Sequence, residues 1–163
     1  LYFLTRYLRP DNVLETGVAA GFSSYAILSA LKKNGKGTLY SSDFPYFRIN
    51  NPEKYIGIVV EKDLKKNWNL FVEGDDNNLP KIFKSVKKID LFSYDSDKTY
   101  SGRSKTLKKV SNFLSENHVI IMDDIQDNSF FHDFIKENNI SHWKIFEFQN
   151  KYLGLIGQVA SIK

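Results

Sequence analysis

Two patterns of hydrophobic and polar positions alternate along the chain. In one, short apolar runs are bounded by turn residues, and in the other apolar residues recur every three or four positions. The short runs predict strands at residues 12–15, 38–42, 68–73, 89–94, 118–122, 143–148 and 152–159. The helical spacing predicts helices over residues 1–8, 22–33, 100–114 and 130–138, and a short helix is expected after Leu79-Pro80. Strands and helices therefore alternate until the last two strands, which follow each other directly.

This alternation favours a parallel sheet covered on both faces by helices. Residues 119–121 are apolar without a break, which is typical of a strand buried inside such a sheet. Only Gln149, Asn150 and Lys151 separate the last two predicted strands, so we expect a hairpin and therefore antiparallel pairing. The sequence thus predicts an α/β fold. It is a three-layer sandwich around a Rossmann-like, seven-stranded, mostly parallel sheet with an antiparallel last strand.

The chain contains no repeats, low-complexity tracts or linkers, so we expect residues 1–163 to form a single domain. It begins at Leu1, without a methionine and already inside a helical pattern, from which we expect a longer protein with an upstream segment. Residues 44–66 have no readable periodicity. We expect a loop on the substrate side there, followed by a helix near residues 61–67.

Composition excludes several classes of protein. Hydrophobic residues make up 42% of the 163 residues, mean hydropathy is −0.38, and no run approaches the roughly 20 apolar residues that a membrane span needs. The absence of cysteine excludes disulfides, thiolate zinc sites and cysteine nucleophiles. We expect a cytoplasmic protein that does not bind a membrane. Whether it forms a homodimer is left open.

A net charge of +4 and a pI near 9.1 raise nucleic acid as a partner. The lysines, however, are spread over helices and the links between elements, as on ordinary solvated faces. The sequence has no arginine-rich arm, no zinc-finger spacing and no aromatic RNA-binding motif. The pattern therefore argues against nucleic acid as a partner.

The stretch from Val13 to Ser24 predicts a cofactor site. A short strand ends at Glu15 and passes through a turn with Gly17 and Gly21 into a helix. Missing side chains let backbone amides and a helix N-terminus approach a nucleotide-type ligand. The nicotinamide pattern G-x-G-x-x-G would need glycine at Ala19 and Phe22, so this spacing departs from it.

Acidic residues follow the predicted strands. Glu15, Asp43, Asp95 and the Asp123-Asp124 pair each stand at a strand end, and Glu73 and Asp75 flank the end of the third strand. Any one of these acids could simply cap the following helix. Asp95 and Asp123-Asp124, however, come from strands expected to be neighbours. Three converging carboxylates repel each other unless a cation lies between them, and a divalent cation with oxygen ligands is the natural candidate.

The run E-T-G-V-A-A-G-F-S-S from Glu15 resembles the first motif of class I S-adenosylmethionine-dependent methyltransferases. It is more closely similar to the E-T-G-V-x-x-G-x-S run of the cation-dependent O-methyltransferases, the catechol and caffeoyl-CoA type. Glu73-Gly74 followed by Leu79-Pro80, and D-S-D-K-T-Y from Asp95, resemble further motifs of that family in the same order. Asp123-Asp124 stands where the family carries D-N. The two closing strands also fit the family's antiparallel end.

The resemblance implies S-adenosylmethionine as the cofactor. The residues it assigns to cofactor binding are Glu15, Gly17, Val18, Gly21, Ser23, Asp43, Gly74, Asp75 and Asp95. Gly17, Val18 and Gly21 would form the turn against the methionine part, supported by Glu15 and Ser23. Asp43 would accept hydrogen bonds from the ribose hydroxyls, and Gly74 and Asp75 would lie near the adenine.

The resemblance also implies a metal site and a base. Asp95, Asp123 and Asp124 would bind a divalent cation, for which Mg²⁺ is the first candidate. Lys98 would be the general base. Asp124 replaces the asparagine that is usual in the family, which adds a negative charge. A solvated lysine at the start of a helix is the alternative interpretation of Lys98.

Together these features predict an S-adenosylmethionine-dependent O-methyltransferase. The acceptor would be a hydroxyl of a small molecule, such as a catechol, a phenol or a sugar, and a divalent metal would assist. Two alternatives stay open: a methyltransferase acting on nucleic acid or protein, and a homologue that binds the cofactor without methylating anything.

Overall fold

The structure is a computed structural model that describes residues 1–46 and 48–161. These residues form a seven-stranded sheet in the order β3-β2-β1-β4-β5-β7-β6. The strands are β1 (Asn12–Thr16), β2 (Thr38–Ser42), β3 (Trp68–Phe71), β4 (Ile89–Tyr94), β5 (Leu114–Met122), β6 (Trp143–Phe148) and β7 (Lys151–Ile156). The first five strands are parallel to one another, whereas β7 is antiparallel to both β5 and β6. The predicted fold class is confirmed.

Helices cover both faces of the sheet. They are α1 (Tyr2–Leu8), α2 (Phe22–Asn34), α3 (Asp75–Ser85), α4 (Tyr100–Val110) and α5 (Phe130–Glu137). One core cluster joins α3, α4 and α5 to side chains such as Leu14 and Phe92, and the other joins α1 and α2 to Val13 and Leu91. Successive strand residues point to opposite faces, so each central strand contributes to both clusters. This arrangement gives the three layers.

The structure corrects the predicted start of α3. This helix begins at Asp75 and contains Pro80 in its interior, whereas the sequence suggested a helix only after Pro80. A proline normally ends or kinks a helix because it lacks an N–H. Here Asp75 and Asp76 provide the negative charge that suits a helix N-terminus, and Gly74 lies at the N-cap. Asp75 and Asp76 therefore belong to the first turn of the helix and do not precede it.

Other boundaries also differ from the predictions. The helix expected near residues 61–67 is a single 3₁₀ turn, Leu64–Asn67, and β3 and β7 end earlier, at Phe71 and Ile156. The helix α4 ends at Val110, and β5 begins at Leu114 instead of residue 118. The first part of β5 is polar and partly exposed, so it lacks the apolar signal of its buried half. Phe47, in the segment 44–66, lies outside the described residues.

The closing hairpin is confirmed. Phe148 pairs with Lys151, and the two linking residues, Gln149 and Asn150, have φ angles of 51° and 61°. Two consecutive residues with positive φ form the type of two-residue turn that suits the twist of paired strands. The single-domain organisation of residues 1–163 stays a prediction. Within the described ranges, no helix combines the length and the apolar character that crossing a bilayer requires.

Candidate functional site

The turn between β1 and α2 is shaped by close backbone contacts. Gly17 has a φ of +81°, and a Cβ atom built on it would lie 2.2 Å from the carbonyl oxygen of Asp95. A Cβ on Gly21, whose φ is +96°, would lie 2.7 Å from the Cα of Gly57. Both positions therefore require glycine because other parts of the chain come too close for a side chain.

Glu15 anchors this turn from below. The side chains of Ser23, Ser24 and Ser41 each donate a hydrogen bond to its carboxylate, at 2.6, 2.6 and 2.7 Å. Glu15 is only 1% exposed, and burial raises the pKa of its carboxyl above the usual value, although the three hydroxyls partly offset this effect. Glu15 and Ser23 thus support the turn and do not line the cavity above it.

Asp43, at the end of β2, closes the turn from the side. The backbone N–H groups of Val18 and Ala19 donate to its Oδ2 at 2.9 and 2.7 Å, and the N–H of Phe44 donates to Oδ1 at 2.6 Å. Asp43 is buried and also lines the cavity. Its carboxylate therefore fixes the conformation of the turn that faces the cavity.

A cavity of about 780 Å³ lies over the carboxyl ends of β1, β2 and β4. Its volume is within the range usual for small-molecule sites. The predicted site residues on its wall are Gly17, Val18, Asp43, Gly74, Asp75, Asp95 and Lys98. Gly21, Asp123 and Asp124 lie outside this wall, as do Glu15 and Ser23. The sequence did not single out Phe44 and Tyr46, which also line the cavity, because an irregular segment gives no periodic signal.

Asp75 faces the cavity from the first turn of α3. Ser42 and Ser96 donate hydrogen bonds from their hydroxyls to its two carboxylate oxygens. Burial raises the pKa of the Asp75 carboxyl, and the two hydroxyls act in the opposite direction. Asp75 thus ties together the ends of β2 and β4 at the cavity wall.

Asp95, Asp123 and Asp124 come together as the sequence predicted. One carboxylate oxygen from each residue lies within 4.8 Å of the others. The Lys98 ammonium contacts all three, with Asp95 nearest, Asp124 at 3.3 Å and Asp123 at 3.7 Å. These four residues are called the carboxylate cluster below. A cation already lies among the three acids, and it belongs to the residue predicted as the base.

Burial and the neighbouring charges act differently on the members of this cluster. Burial raises the pKa of the Asp95 carboxyl, although the hydrogen bond and the charge of Lys98 act against it. For Asp124, burial also acts upward, but the hydrogen bond from Gln126 and the charge of Lys98 outweigh it, and the pKa is lowered. Three carboxylates are hard oxygen donors, which Mg²⁺ and similar cations prefer. The donor set therefore fits a divalent cation.

Arg103 lies behind the carboxylate cluster and was missed by the sequence reasoning. It is fully buried in α4, and its Nη2 donates to the backbone oxygens of Asp123 and Asp124 at 3.2 and 2.7 Å. A signal existed in the sequence, because Arg103 stands four residues before Leu107 and seven before Val110, on the apolar stripe of the helix.

Several solved structures that share this fold are methyltransferases. A methyltransferase from Geobacter sulfurreducens superposes with a TM-score of 0.71 at 18% identity, covering 96% of this chain and 75% of the other. The O-methyltransferase TomG from Streptomyces achromogenes, solved in complex with S-adenosylmethionine, gives 0.72 at 15% identity, with 96% and 77% covered. An O-methyltransferase from Bacillus cereus, solved in complex with S-adenosylhomocysteine, gives 0.70 at 12%, with 96% and 78% covered.

The fold is thus that of the class I S-adenosylmethionine-dependent methyltransferases, as the sequence resemblance implied. The chain belongs to the methyltransferase domain family, whose family model matches residues 14–125. Among curated proteins, it is 24% identical over 126 residues to the ribosomal RNA large subunit methyltransferase E of Methanosphaera stadtmanae. That alignment covers 76% of this chain, and the chain spans 61% of the length of that relative.

Proposed function

We propose that this protein transfers a methyl group from S-adenosylmethionine to a hydroxyl of a small molecule, with the assistance of a divalent metal, Mg²⁺ in the first place. One observation carries the proposal. Asp95 and Lys98 belong both to the wall of the cofactor-sized cavity and to the carboxylate cluster. A methyl donor in the cavity and an acceptor at the cluster would therefore be neighbours.

The cavity offers suitable groups for the cofactor. Gly17 and Val18 would face its methionine part, Asp43 its ribose hydroxyls, and Gly74 with Asp75 its adenine. Six carboxylates and two lysines line the cavity, which favours a ligand that carries a positively charged sulfonium. The cofactors bound to the neighbours from S. achromogenes and B. cereus support this assignment.

The carboxylate cluster offers suitable groups for activating the acceptor. When bound, a divalent cation lowers the pKa of a coordinated hydroxyl and fixes its position. Asp95, Asp123 and Asp124 would hold that cation, and the Lys98 amine is close enough to take the proton of the hydroxyl. The ammonium of Lys98 must first release a proton to solvent, because only the neutral amine has the lone pair that accepts the proton of the hydroxyl. A vicinal diol or a catechol, which presents two oxygens to one cation, fits this arrangement best.

The test is a methyl-transfer assay with S-adenosylmethionine on catechols, phenols and sugars, with Mg²⁺ or with a chelator. We expect transfer that the chelator abolishes and that Asp123→Ala reduces at least about 100-fold, since both remove the activated hydroxyl. Asp63→Ala is the control, because Asp63 forms an exposed ion pair with Lys32 away from the cavity. Transfer that is indifferent to chelation and to Asp123→Ala would refute the metal. Failure to bind S-adenosylmethionine in calorimetry would refute the whole proposal, and binding without any transfer would favour a non-catalytic homologue.

A second candidate is methylation of RNA. It is favoured by the similarity to the ribosomal RNA large subunit methyltransferase E of M. stadtmanae and by the net charge of +4. The acidic lining of the cavity speaks against it, because phosphates would approach carboxylates there. RNA binding that weakens steeply with salt, together with transfer to ribosomal RNA, would establish this candidate in place of the small-molecule one.

A further inference from the structure

Arg103 is a buried cation with incomplete pairing. It is 0% exposed, and its Nη2 donates to two backbone oxygens, those of Asp123 and Asp124. Its Nε and Nη1 have no hydrogen-bond partner in the part of the chain that the structure describes. Among those same residues, Arg103 takes part in no ion pair within 4.0 Å.

Such an arrangement needs an explanation, because a buried charge without a partner lowers stability by several kcal/mol. An apolar side chain could fill the same space without that penalty. The two residues whose carbonyls Arg103 binds, Asp123 and Asp124, each carry a carboxylate, which makes them the candidates for compensating its charge. Asp123 and Asp124 bring two carboxylates into a cluster whose only half-buried cation is Lys98 among the described residues. Lys151 lies 3.6 Å from Asp124, but its side chain is 71% exposed, so solvent screens its charge.

The backbone at Asp124 adds to this argument. Asp124 has φ 50° and ψ 43°, a left-handed conformation that costs most non-glycine residues roughly 1–2 kcal/mol. The two hydrogen bonds from Nη2 hold the carbonyls on either side of this turn. Arg103 therefore stabilises the backbone conformation that directs the carboxylates of Asp123 and Asp124 toward Asp95.

We propose that Arg103 is a positioning residue for the metal site, which holds the Asp123-Asp124 turn and serves as the permanent buried counter-charge of the three carboxylates. With a divalent cation bound and Lys98 as the neutral amine, that cation and Arg103 together match the three negative charges of the cluster. Arg103 thereby accounts for the tolerance of an aspartate at position 124, where the resembling family carries asparagine. The inference rests on the proposed metal site, but its first test needs neither metal nor acceptor.

The first test is a double-mutant cycle on thermal stability in chelator at neutral pH. Arg103→Gln keeps a donor for the carbonyls and removes the charge, whereas Arg103→Lys keeps the charge. We expect Arg103→Gln to lower the unfolding midpoint by about 5 °C or more, Arg103→Lys to lower it less, and Asp124→Asn to remove at least half of the Arg103→Gln effect.

The alternative is that Arg103 only braces the two carbonyls. Asp124→Asn leaves both carbonyls in place, so the effect of Arg103→Gln would then be the same in both backgrounds, and glutamine would be tolerated at least as well as lysine. That result would overturn the inference. A midpoint that Arg103→Gln leaves unchanged would overturn it as well.

The second test uses Mn²⁺ alone. Because the metal takes over part of the missing counter-charge, saturating Mn²⁺ should raise the unfolding midpoint of Arg103→Gln more than that of the unsubstituted protein. Equal shifts in both proteins would contradict the inference. In the transfer assay, Arg103→Gln should lower kcat and leave the KM for S-adenosylmethionine within about twofold, since the turn it misplaces lies outside the cofactor wall.

The outcomes separate the two proposals. Coupling between positions 103 and 124 without metal-dependent transfer would remove the proposed function and leave the counter-charge role of Arg103. Metal-dependent transfer without this coupling would support the proposed function and refute the counter-charge role of Arg103.

Discussion

Lys98 and a divalent cation compete for the same oxygen atoms. The Lys98 side chain is 27% exposed, and its ammonium lies within 4.0 Å of carboxylate oxygens from Asp95, Asp123 and Asp124. A second cation can share these carboxylates only against the repulsion of that ammonium. Lys98 therefore competes with the metal for the carboxylates before the reaction, and it is the proposed acceptor of the hydroxyl proton during the reaction.

Replacing Lys98 tests both roles at once. In Lys98→Met we expect the affinity for Mn²⁺ to rise about tenfold, which corresponds to ~1.4 kcal/mol, because the competing ammonium is gone. Methyl transfer should nevertheless fall by about 100-fold or more, because the base is lost. Mn²⁺ titration followed by electron paramagnetic resonance measures the first effect, and the transfer assay measures the second.

Lys32→Met is the matched control, because Lys32 pairs with the exposed Asp63 away from both the cavity and the carboxylate cluster. It should change neither quantity. Weaker Mn²⁺ binding in Lys98→Met would show that Lys98 helps to build the metal site, and unchanged transfer would exclude it as the base.

At the residue scale, the acids of the carboxylate cluster were predicted from the sequence, whereas Arg103 was not. Asp95, Asp123 and Asp124 follow strands that a parallel sheet must bring to one edge, so their convergence could be predicted from topology. Arg103 gave a weaker signal, its place on the apolar stripe of α4, which is easily overlooked because a single arginine in a helix is normally solvated. Its burial depends on how α4 packs against the sheet, which the linear sequence does not specify.

At the scale of elements, the turn after β1 depends on the end of β4. The carbonyl of Asp95 lies where a Cβ on Gly17 would be, and the N–H of Gly17 donates to the carbonyl oxygen of Ser42 at 2.9 Å. Three parallel strands are thus locked together at the point where the cavity begins. A side chain at Gly17 would therefore displace both the turn between β1 and α2 and Asp95, a member of the carboxylate cluster.

The comparison of Gly17→Ala with Gly35→Ala isolates this contact. Both glycines have positive φ, +81° and +71°, but a Cβ on Gly35 would meet nothing within 4 Å. We expect Gly35→Ala to lower the free energy of unfolding by about 1 kcal/mol from backbone strain alone. Gly17→Ala should lower it by about 3 kcal/mol or more, because steric overlap is added. Urea unfolding followed by tryptophan fluorescence measures both, and equal losses would contradict the close contact.

The elements show where sequence patterns fail. β2, β4 and β6 have the predicted bounds because their apolar runs are bordered by turn residues. The start of α3 was misplaced because Pro80 suggested a boundary that tertiary packing overrides, with Leu79 and Ile82 fully buried on either side of it. The segment from Phe44 onward folds back onto the cofactor turn, where the N–H of Gly57 donates to Ala19 and that of Val59 to Ala20. Such long-range backbone pairing leaves no local pattern.

At the scale of the whole molecule, cofactor binding and folding should be linked. The cavity wall combines residues from the ends of β1, β2 and β4 with the start of α3, so a ligand there holds together parts that separate on unfolding. A ligand at 100 times its dissociation constant stabilises the folded state by about 2.7 kcal/mol. For a chain of this length, that corresponds to a rise of roughly 5–10 °C in the unfolding midpoint.

We therefore expect S-adenosylmethionine to raise the midpoint by this amount in a thermal scan. Asp43→Asn should reduce the shift, because Asp43 both fixes the turn and faces the cavity. Asp11→Asn is the control, since Asp11 forms an exposed ion pair with Lys36 outside the cavity. An unchanged midpoint for the unsubstituted protein at millimolar cofactor would contradict the proposed site.

The parallel part of the sheet and the closing hairpin were predictable, but the full order of the strands was not. The alternation of strands and helices fixed the parallel part, and the short link fixed the hairpin. The sequence left open which hairpin strand joins β5, since Trp143–Phe148 is as apolar as Lys151–Ile156. The structure places β7 in the interior, with Gly154, Leu155 and Ile156 buried, and leaves β6 largely exposed at the edge.

This order has a consequence for how the protein is made. Every residue of the carboxylate cluster leaves the ribosome before the hairpin does, so β5 is for a time the last strand of an unfinished sheet. Its apolar half, Ile120 to Met122, then exposes the backbone groups that later pair with Ile156, Leu155 and Gly154. Such an open edge invites pairing with a neighbouring nascent chain. Because a hairpin with a two-residue turn forms within about 1–10 μs, the C-terminal strands can seal that edge soon after they emerge. The C-terminal hairpin thus decides whether the newly made sheet is protected against aggregation.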